Sequence, residues 1–196
     1  MSQTAVFGGT FNPFHIGHYE ILSALCGSEK FDKVLLVPDR IPPHKKHVQS
    51  VPDADRIEMC RIVCEDFDKA QLCLIEFERE GKSYTVDTVK ALKRAFPADD
   101  FFITCGGDMI KTLDTWYRFD ELKTLASFVA FNRGNDEDFL ANVERLRGLG
   151  AQITVFDNAV TEISSTELRE GVKRKYLPEK VWEYVNRRGI YKQQNN

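Results

Sequence analysis

The sequence lacks the features that would place a chain in a membrane, in a disulfide scaffold or on nucleic acid. No run approaches the ~20 consecutive apolar residues of a membrane helix, and no signal-peptide pattern is found. The five cysteines (Cys26, Cys60, Cys64, Cys73 and Cys105) are odd in number, sit inside apolar runs and form no C-x-x-C. They therefore read as buried thiols of a reducing compartment, not as a disulfide frame or zinc clip. An excess of positive charge is also missing: 27 Lys and Arg face 30 Asp and Glu, for a net charge of -3, which argues against a general nucleic-acid binder. Nor is the chain poor in apolar residues, since 42% of its 196 residues are apolar and 29% charged, so disorder by composition is excluded. No repeat, linker or low-complexity stretch divides it. The expectation is one domain over residues 1–196, soluble and cytoplasmic.

Short apolar runs rich in β-branched and aromatic residues recur at Thr4 to Phe7, Lys33 to Val37, Leu72 to Phe77, Phe101 to Cys105, Phe128 to Phe131 and Ile153 to Phe156. Such runs fit strands buried on both faces. Helical spacing separates them, as in Ile21, Leu22, Leu25 and Cys26, or Val86, Val89, Leu92 and Phe96, with similar sets from Cys60 to Phe67 and Phe139 to Leu146. The alternation predicts right-handed βαβ units: an α/β, Rossmann-like, doubly wound parallel sheet with helices on both faces and a ligand crevice at the carboxyl ends of the strands. A C-terminal helical segment covers about 164–190, its last helix between Pro178 and Ile190.

The first strand runs into Gly8-Gly9-Thr10-Phe11-Asn12-Pro13-Phe14-His15-Ile16-Gly17-His18, followed at once by a helical pattern. Adjacent glycines allow a close backbone approach, and N–H groups with an imidazole near a helix start favour a phosphate. This is neither a Rossmann G-x-G-x-x-G nor a P-loop: Gly81-Lys82-Ser83 has the P-loop ending, but Glu76 stands where its first glycine belongs. Ser164 to Glu167 reads as a capping box opening a helix, with the Ser165 and Thr166 hydroxyls and Arg169 beside it as an anion site. Lys45, after Pro42-Pro43-His44, is a point charge on a stiff turn. All four histidines fall in two H-x-x-H pairs, His15 with His18 and His44 with His47, which leaves a metal-binding protein as an alternative, although Pro and Gly around them favour loops and no further ligand completes a site.

The segment from Gly8 to His18 resembles the nucleotide-binding signature of the nucleotidyltransferase superfamily, with Asn12 where many members carry Asp. Four further segments follow the order and spacing of the bacterial nicotinate-nucleotide adenylyltransferases: Pro42-Pro43-His44-Lys45, Ser83 to Thr88, Gly106-Gly107-Asp108 through Trp116-Tyr117, and Ile163 to Arg169. The resemblance implies transfer of AMP from ATP to nicotinate mononucleotide, with Mg²⁺ carried mainly by the ATP phosphates and water because no carboxylate cluster forms a cage. It implies catalytic roles for His15, His18, Lys45 and Arg169. ATP contacts are implied for Gly8, Gly9, Thr10, Phe11, Gly17, His18, Gly106, Asp108, Ile163, Ser164, Ser165, Thr166 and Arg169. Acceptor contacts are implied for Asn12, Lys45, Tyr84, Thr85, Asp108, Trp116, Tyr117 and Arg133. Within that set, the Trp116-Tyr117 plane would stack on a pyridine ring, Asp108 would accept from ribose hydroxyls, and N–H groups near Tyr84, Thr85, Trp116 and Tyr117 would form a donor-only pocket for the nicotinate carboxylate. Nicotinamide mononucleotide or phosphopantetheine as acceptor stays open at this point, as does a homo-oligomer.

Overall fold

The computed structural model describes residues 1–40, 51–132, 138–157, 160–161 and 163–191. Six strands form, β1 (Ser2–Gly9), β2 (Lys33–Pro38), β3 (Ala70–Leu72), β4 (Asp99–Gly106), β5 (Ser127–Phe131) and β6 (Ile153–Phe156). They make one sheet in the order β3-β2-β1-β4-β5-β6, and every pairing is parallel. Among the described residues the connections hold α1 (Ile16–Gly27), α2 (Asp53–Cys64), α3 (Thr85–Ala95), α4 (Gly107–Thr112), α5 (Phe119–Leu125) and α6 (Phe139–Gly148), and β6 is followed by α7 (Ser165–Glu170) and α8 (Glu179–Arg188).

Because successive side chains of a strand point to opposite faces, each strand feeds two cores. Ala5, Phe7, Val34, Leu36, Phe102 and Val129 pack beneath α1, α2 and α8. Val6, Leu35, Val37, Ile103, Phe128 and Ala130 pack beneath α3, α4, α5 and α6. This is the expected doubly wound α/β sheet. The strand order reverses between β1 and β4, and that switch opens a crevice at the carboxyl ends of those strands. Cys60 and Cys105 are buried, while Cys26, Cys64 and Cys73 are half-buried; burial pushes the thiols up, to about 12 for Cys105, which suits packing groups and not nucleophiles.

Two expectations are corrected. The third strand is Ala70–Leu72 and shares only Leu72 with the expected run Leu72 to Phe77. As an edge strand it pairs with β2 alone, at Val34, Leu35 and Leu36, and the chain then turns, with the Phe77 N–H donating to the Leu74 carbonyl at 2.8 Å. The apolar character beyond Leu72 serves burial from a turn, as Ile75 shows at 8% exposure. Between β4 and β5, where no helix is expected from the sequence, the chain forms α4 and α5, whose six and seven residues are too short to establish a helical period.

The C-terminal helix is tied to the sheet layer through a buried carboxylate. Asp55 on α2, 2% exposed, accepts from the Tyr184 hydroxyl at 2.6 Å and from Arg188 Nε at 3.0 Å, both on α8. Burial alone would raise the Asp55 carboxyl, but the hydrogen bonds from Tyr184 and Arg188 and the guanidinium charge outweigh it and hold the group below its ordinary value of 3.8. A depressed folded value means the stabilisation is complete above the unfolded value and is lost as pH falls through the folded one. Asp55→Asn is therefore expected to cost about 2 kcal/mol at pH 7, and the gap to wild type in urea denaturation should narrow progressively as pH is lowered below 3.8. A gap independent of pH would show that the carboxylate charge is not the source.

Candidate active site

A cavity of about 200 Å³ opens at the carboxyl ends of β1, β2 and β4. Its walls include Gly8, Asp39, Glu76, Tyr84, Thr85, Thr88, Thr104, Trp116 and Tyr117. A cavity of ~150 Å³ accepts a benzene ring, so this one suits a single aromatic ring with its substituents and not a whole dinucleotide. Trp116 is half-buried against the core, while Tyr117 is exposed and its ring centroid lies 4.5 Å from that of Tyr84, which leaves an aromatic wall facing the first turn of α3. Tyr84, the N-cap residue of α3, makes no side-chain cap, and α3 begins at Thr85 as expected.

Beside the cavity, the β1–α1 loop ends in a capping box made by two histidines. The His15 N–H donates to His18 Nδ1, and the His18 N–H donates to His15 Nδ1, each at 3.3 Å. The rings stack with centroids 3.5 Å apart and planes inclined by 19°. An imidazole nitrogen that accepts from an N–H carries no proton, so both neutral rings hold theirs on Nε2. The pair straddles the start of α1 instead of lying in a loop, because the box itself supplies the cap. His18 is half-buried and His15 is 2% exposed, so His18 is the better placed to present a donor outward. With both Nδ1 atoms engaged, the rings are not arranged as a chelate, and among the described residues no three His, Cys, Asp or Glu side chains converge on a metal position.

The loop is held by its carbonyl oxygens. Arg56 of α2, 4% exposed, donates to the Thr10 carbonyl at 2.6 Å and the Asp39 carbonyl at 2.8 Å, with Asp53 as its ionic partner. Arg169 of α7 donates to the Asn12 carbonyl at 3.0 Å and to the Thr166 hydroxyl at 2.8 Å, and Ser165 donates to the Pro13 carbonyl at 3.2 Å. The Tyr191 hydroxyl, beyond α8, donates to Asn12 Oδ1 at 2.7 Å. Ser164 caps α7 with Glu167 as the sequence predicts.

These contacts give several of the expected site residues partners within the protein. The Ser165 and Thr166 hydroxyls and part of the Arg169 guanidinium bind protein, so this group acts first as a bracket on the loop. Phe11, expected at the nucleotide, is 1% exposed, takes a positive φ of 47° and packs edge-on against Phe7 and His18, so its side chain positions the histidine ring. A Cβ on Gly9 would lie 2.9 Å from the Phe11 ring, and one on Gly17 only 2.8 Å from the Thr161 carbonyl, so both glycines answer to protein neighbours. A Cβ on Gly8 would make only an ordinary contact, with the Val37 carbonyl at 3.9 Å. The His18 N–H, expected at a phosphate, is taken by His15.

At the expected donor-only pocket, two of the N–H groups have partners within the protein. The Tyr84 N–H donates to the Lys82 carbonyl at 3.2 Å and the Trp116 N–H to the Leu113 carbonyl at 3.1 Å. Two carboxylates, Asp39 and Glu76, line the same cavity. Burial pushes the Asp39 carboxyl up, and the charge of Glu76 adds to this against the Thr10 and Arg56 contacts. Asp39, Glu76, Arg56 and Tyr191 were not among the expected site residues. The placement of Asp39 directly after the second strand was the one signal available for it. Gly106 caps α4 at the end of β4, Asp108 is exposed in the first turn of α4, and Ile163 is half-buried against the core. Lys45 with Pro42, Pro43 and His44, together with His47 and Arg133, lies outside the described residues.

A parallel sheet with a glycine loop and histidine box at its switch point defines a nucleotide-binding transferase, and the cytidylyltransferase-like family matches residues 6–171. The nicotinate-nucleotide adenylyltransferase of Bacillus subtilis is 36% identical over 197 residues, covering 97% of this chain and 99% of its own. Two structures of Plasmodium falciparum nicotinic acid mononucleotide adenylyltransferase, complexed with APC and with NaAD, share the fold with TM-scores of 0.76 and 0.75 over 97% of this chain and 98% of theirs, at 19% identity. The chain belongs to the nicotinate-nucleotide adenylyltransferase family. Among the described residues no helix is long and apolar enough to cross a membrane.

The box separates two functions of His18 that variants can divide. His18→Asn keeps a side-chain acceptor for the His15 N–H but has no outward Nε2–H, whereas His18→Ala loses both. Single-turnover rates of adenylyl transfer are expected to fall ~10²-fold in both variants, with a stability loss of about 1 kcal/mol confined to His18→Ala. Retained turnover in folded His18→Asn would limit His18 to capping.

Proposed function

We infer that the chain joins nicotinate mononucleotide to the AMP moiety of ATP, giving nicotinate adenine dinucleotide and pyrophosphate, one step in making a pyridine dinucleotide. The carrying observation is the adjacency of two sites at one sheet end: an aromatic-walled cavity sized for one ring, and a histidine box at the start of a helix. Ring and phosphate of one mononucleotide would span them.

The acceptor phosphate attacks the α-phosphorus of ATP in line. One phosphorus–oxygen bond forms, the bond to the bridging oxygen of the β-phosphate breaks, and pyrophosphate leaves with that electron pair. A phosphate monoester has a second pKa of about 6, so the nucleophile is already largely dianionic at pH 7 and no general base is assigned. The protein's task is position and positive charge, because two anions are brought together and charge spreads over the non-bridging oxygens. We assign this to His15, His18 and Arg169, with Lys45 added by resemblance. Members of this class are generally metal-dependent, and in our reading the cation is Mg²⁺ that arrives as part of the substrate MgATP. We assign the ring to Trp116 and Tyr117, its carboxylate to the N–H groups opening α3 at Thr85, and Arg133 to the acceptor by resemblance.

Incubation with MgATP and nicotinate mononucleotide, nicotinamide mononucleotide or phosphopantetheine, followed by pyrophosphate assay, tests the reading; no transfer to the first would overturn it. Because the Tyr84 and Trp116 donors are engaged, discrimination rests on fewer N–H groups, and we expect an acid-over-amide preference of about tenfold or more in kcat/KM. Equal efficiencies would remove the α3 start from carboxylate recognition. Arg169→Ala should raise KM for MgATP several-fold and leave that for the mononucleotide within about twofold, since a loosened loop faces the triphosphate. A change confined to the mononucleotide would reverse the assignment.

A further inference from the structure

Among the described residues, three that line the cavity carry a buried polar atom without a hydrogen-bond partner: Asp39 at Oδ1, Glu76 at Oε2 and Thr104 at Oγ1. Glu76 is 8% exposed and Thr104 4%. Neither carboxylate is loose, because each has its other oxygen fixed. Asp39 Oδ2 accepts from the Thr10 hydroxyl at 3.0 Å, and Glu76 Oε1 accepts from the Thr88 hydroxyl at 2.7 Å, which in turn accepts from Arg79 at 2.7 Å. Each carboxylate thus keeps one buried acceptor oxygen without a partner, on a residue that lines the cavity. Leaving a buried acceptor unpaired is costly, and most such groups in proteins are satisfied, so the arrangement points to a ligand that brings donors.

The chemistry of those donors is restricted. An ionised carboxylate only accepts. A nicotinate ring has a substituted nitrogen and an anionic carboxylate, and the phosphate is an acceptor as well. In nicotinate mononucleotide the two sugar hydroxyls are the groups that donate. Their place in the molecule also matches the topology. Asp39 is bonded through Thr10 to the histidine-bearing loop, and Glu76 through Thr88 to the helix whose start faces the aromatic wall, so the two carboxylates stand between the phosphate side and the ring side of the site. A cation in the same place is disfavoured, since among the described residues no third His, Cys, Asp or Glu joins them.

We propose that Asp39 and Glu76 accept the two ribose hydroxyls of the acceptor mononucleotide, so that the enzyme reads the sugar as well as the base. This rests on the function inferred above. Thr104, a hydroxyl that can donate or accept, lines the same cavity and can turn to either. No bond is made or broken at these residues: they are specificity determinants.

The test compares nicotinate mononucleotide with its 2′-deoxy and 3′-deoxy analogues at saturating MgATP. Transfer to the parent acceptor is measured first, and its failure would count against the inferred function and not against the sugar contacts. Wild type is expected to lose about tenfold or more in kcat/KM for each missing hydroxyl, as charge-assisted bonds usually give. Asp39→Ala and Glu76→Ala should each abolish the penalty for one hydroxyl and keep it for the other, while Glu76→Gln, which retains an acceptor oxygen, should keep a reduced penalty. The crossed pattern is one that general destabilisation would not produce. Wild type using both deoxy acceptors within about threefold of the parent, or penalties undiminished in the folded variants, would overturn the proposal. Should Glu76→Ala fail to fold, Asp39→Ala and Glu76→Gln still decide it.

Discussion

The site depends on the β1–α1 loop being gripped by its carbonyl oxygens. Thr10, Asn12 and Pro13 each give their carbonyl to a donor from outside the loop, Arg56 from α2 and Arg169 and Ser165 from α7. Once the acceptors are engaged inward, what the loop and the following helix can offer a ligand is donors, which is what an anion requires. The grip comes from elements remote in sequence: α7 lies more than 150 residues from the loop it holds. The guanidinium of Arg56 joins two strand ends, since it takes the Thr10 carbonyl after β1 and the Asp39 carbonyl after β2. Nucleotide loop and cavity wall are therefore parts of one hydrogen-bonded unit.

That unit divides the site by hydrogen-bond sense. On the phosphate side the histidine box turns two Nε2–H groups away from the helix backbone, and the neutral rings can be held this way only while Nδ1 stays an acceptor. On the cavity side Asp39 and Glu76 bring carboxylates to a wall that also holds aromatic rings and the hydroxyls of Ser83, Thr85, Thr88 and Thr104. In the function proposed above, an anionic phosphate would meet donors and a hydroxylated sugar would meet acceptors. The α3 start adds donors again where a ring substituent would end. Opposite senses at short range give orientation that a uniformly positive cleft would not, because a reversed ligand would face like against like.

The sheet was legible because its information is local: period, apolar runs and glycine turns act within ten residues of themselves. Five of the six strands and the principal helices follow from them. The third strand failed because its run mixes two kinds of burial, a short edge pairing and a turn folded under α3, which look alike as composition. α4 and α5 failed because they are shorter than two helical turns. Within the site, the Gly8 to His18 motif, the α3 start and the Ser164 capping box stand at or beside the cavity and loop as read. Arg56, Glu76 and Tyr191 were not legible, since what defines them is a partner 46, 12 or 179 residues away.

A residue that holds the loop and a residue that touches the ligand leave the same mark in a motif. Phe11, Gly9 and Gly17 stand in the nucleotide signature, yet the first fills the core beside His18, and the glycines are needed because Phe11 and Thr161 come too close for a Cβ. Ser165 and Arg169 stand in the phosphate segment, yet their bonds run to loop carbonyls. The signature thus describes a supported loop more than a contact surface. Truncating such a supporting residue frees a carbonyl and loosens the donors together, so its effect would imitate the loss of a phosphate contact in kinetics alone. Direction of donation and burial tell the two apart: a donor already directed at a carbonyl of the protein serves the fold first, whereas a buried acceptor left without a partner beside a cavity is the feature on which the proposed sugar contact rests.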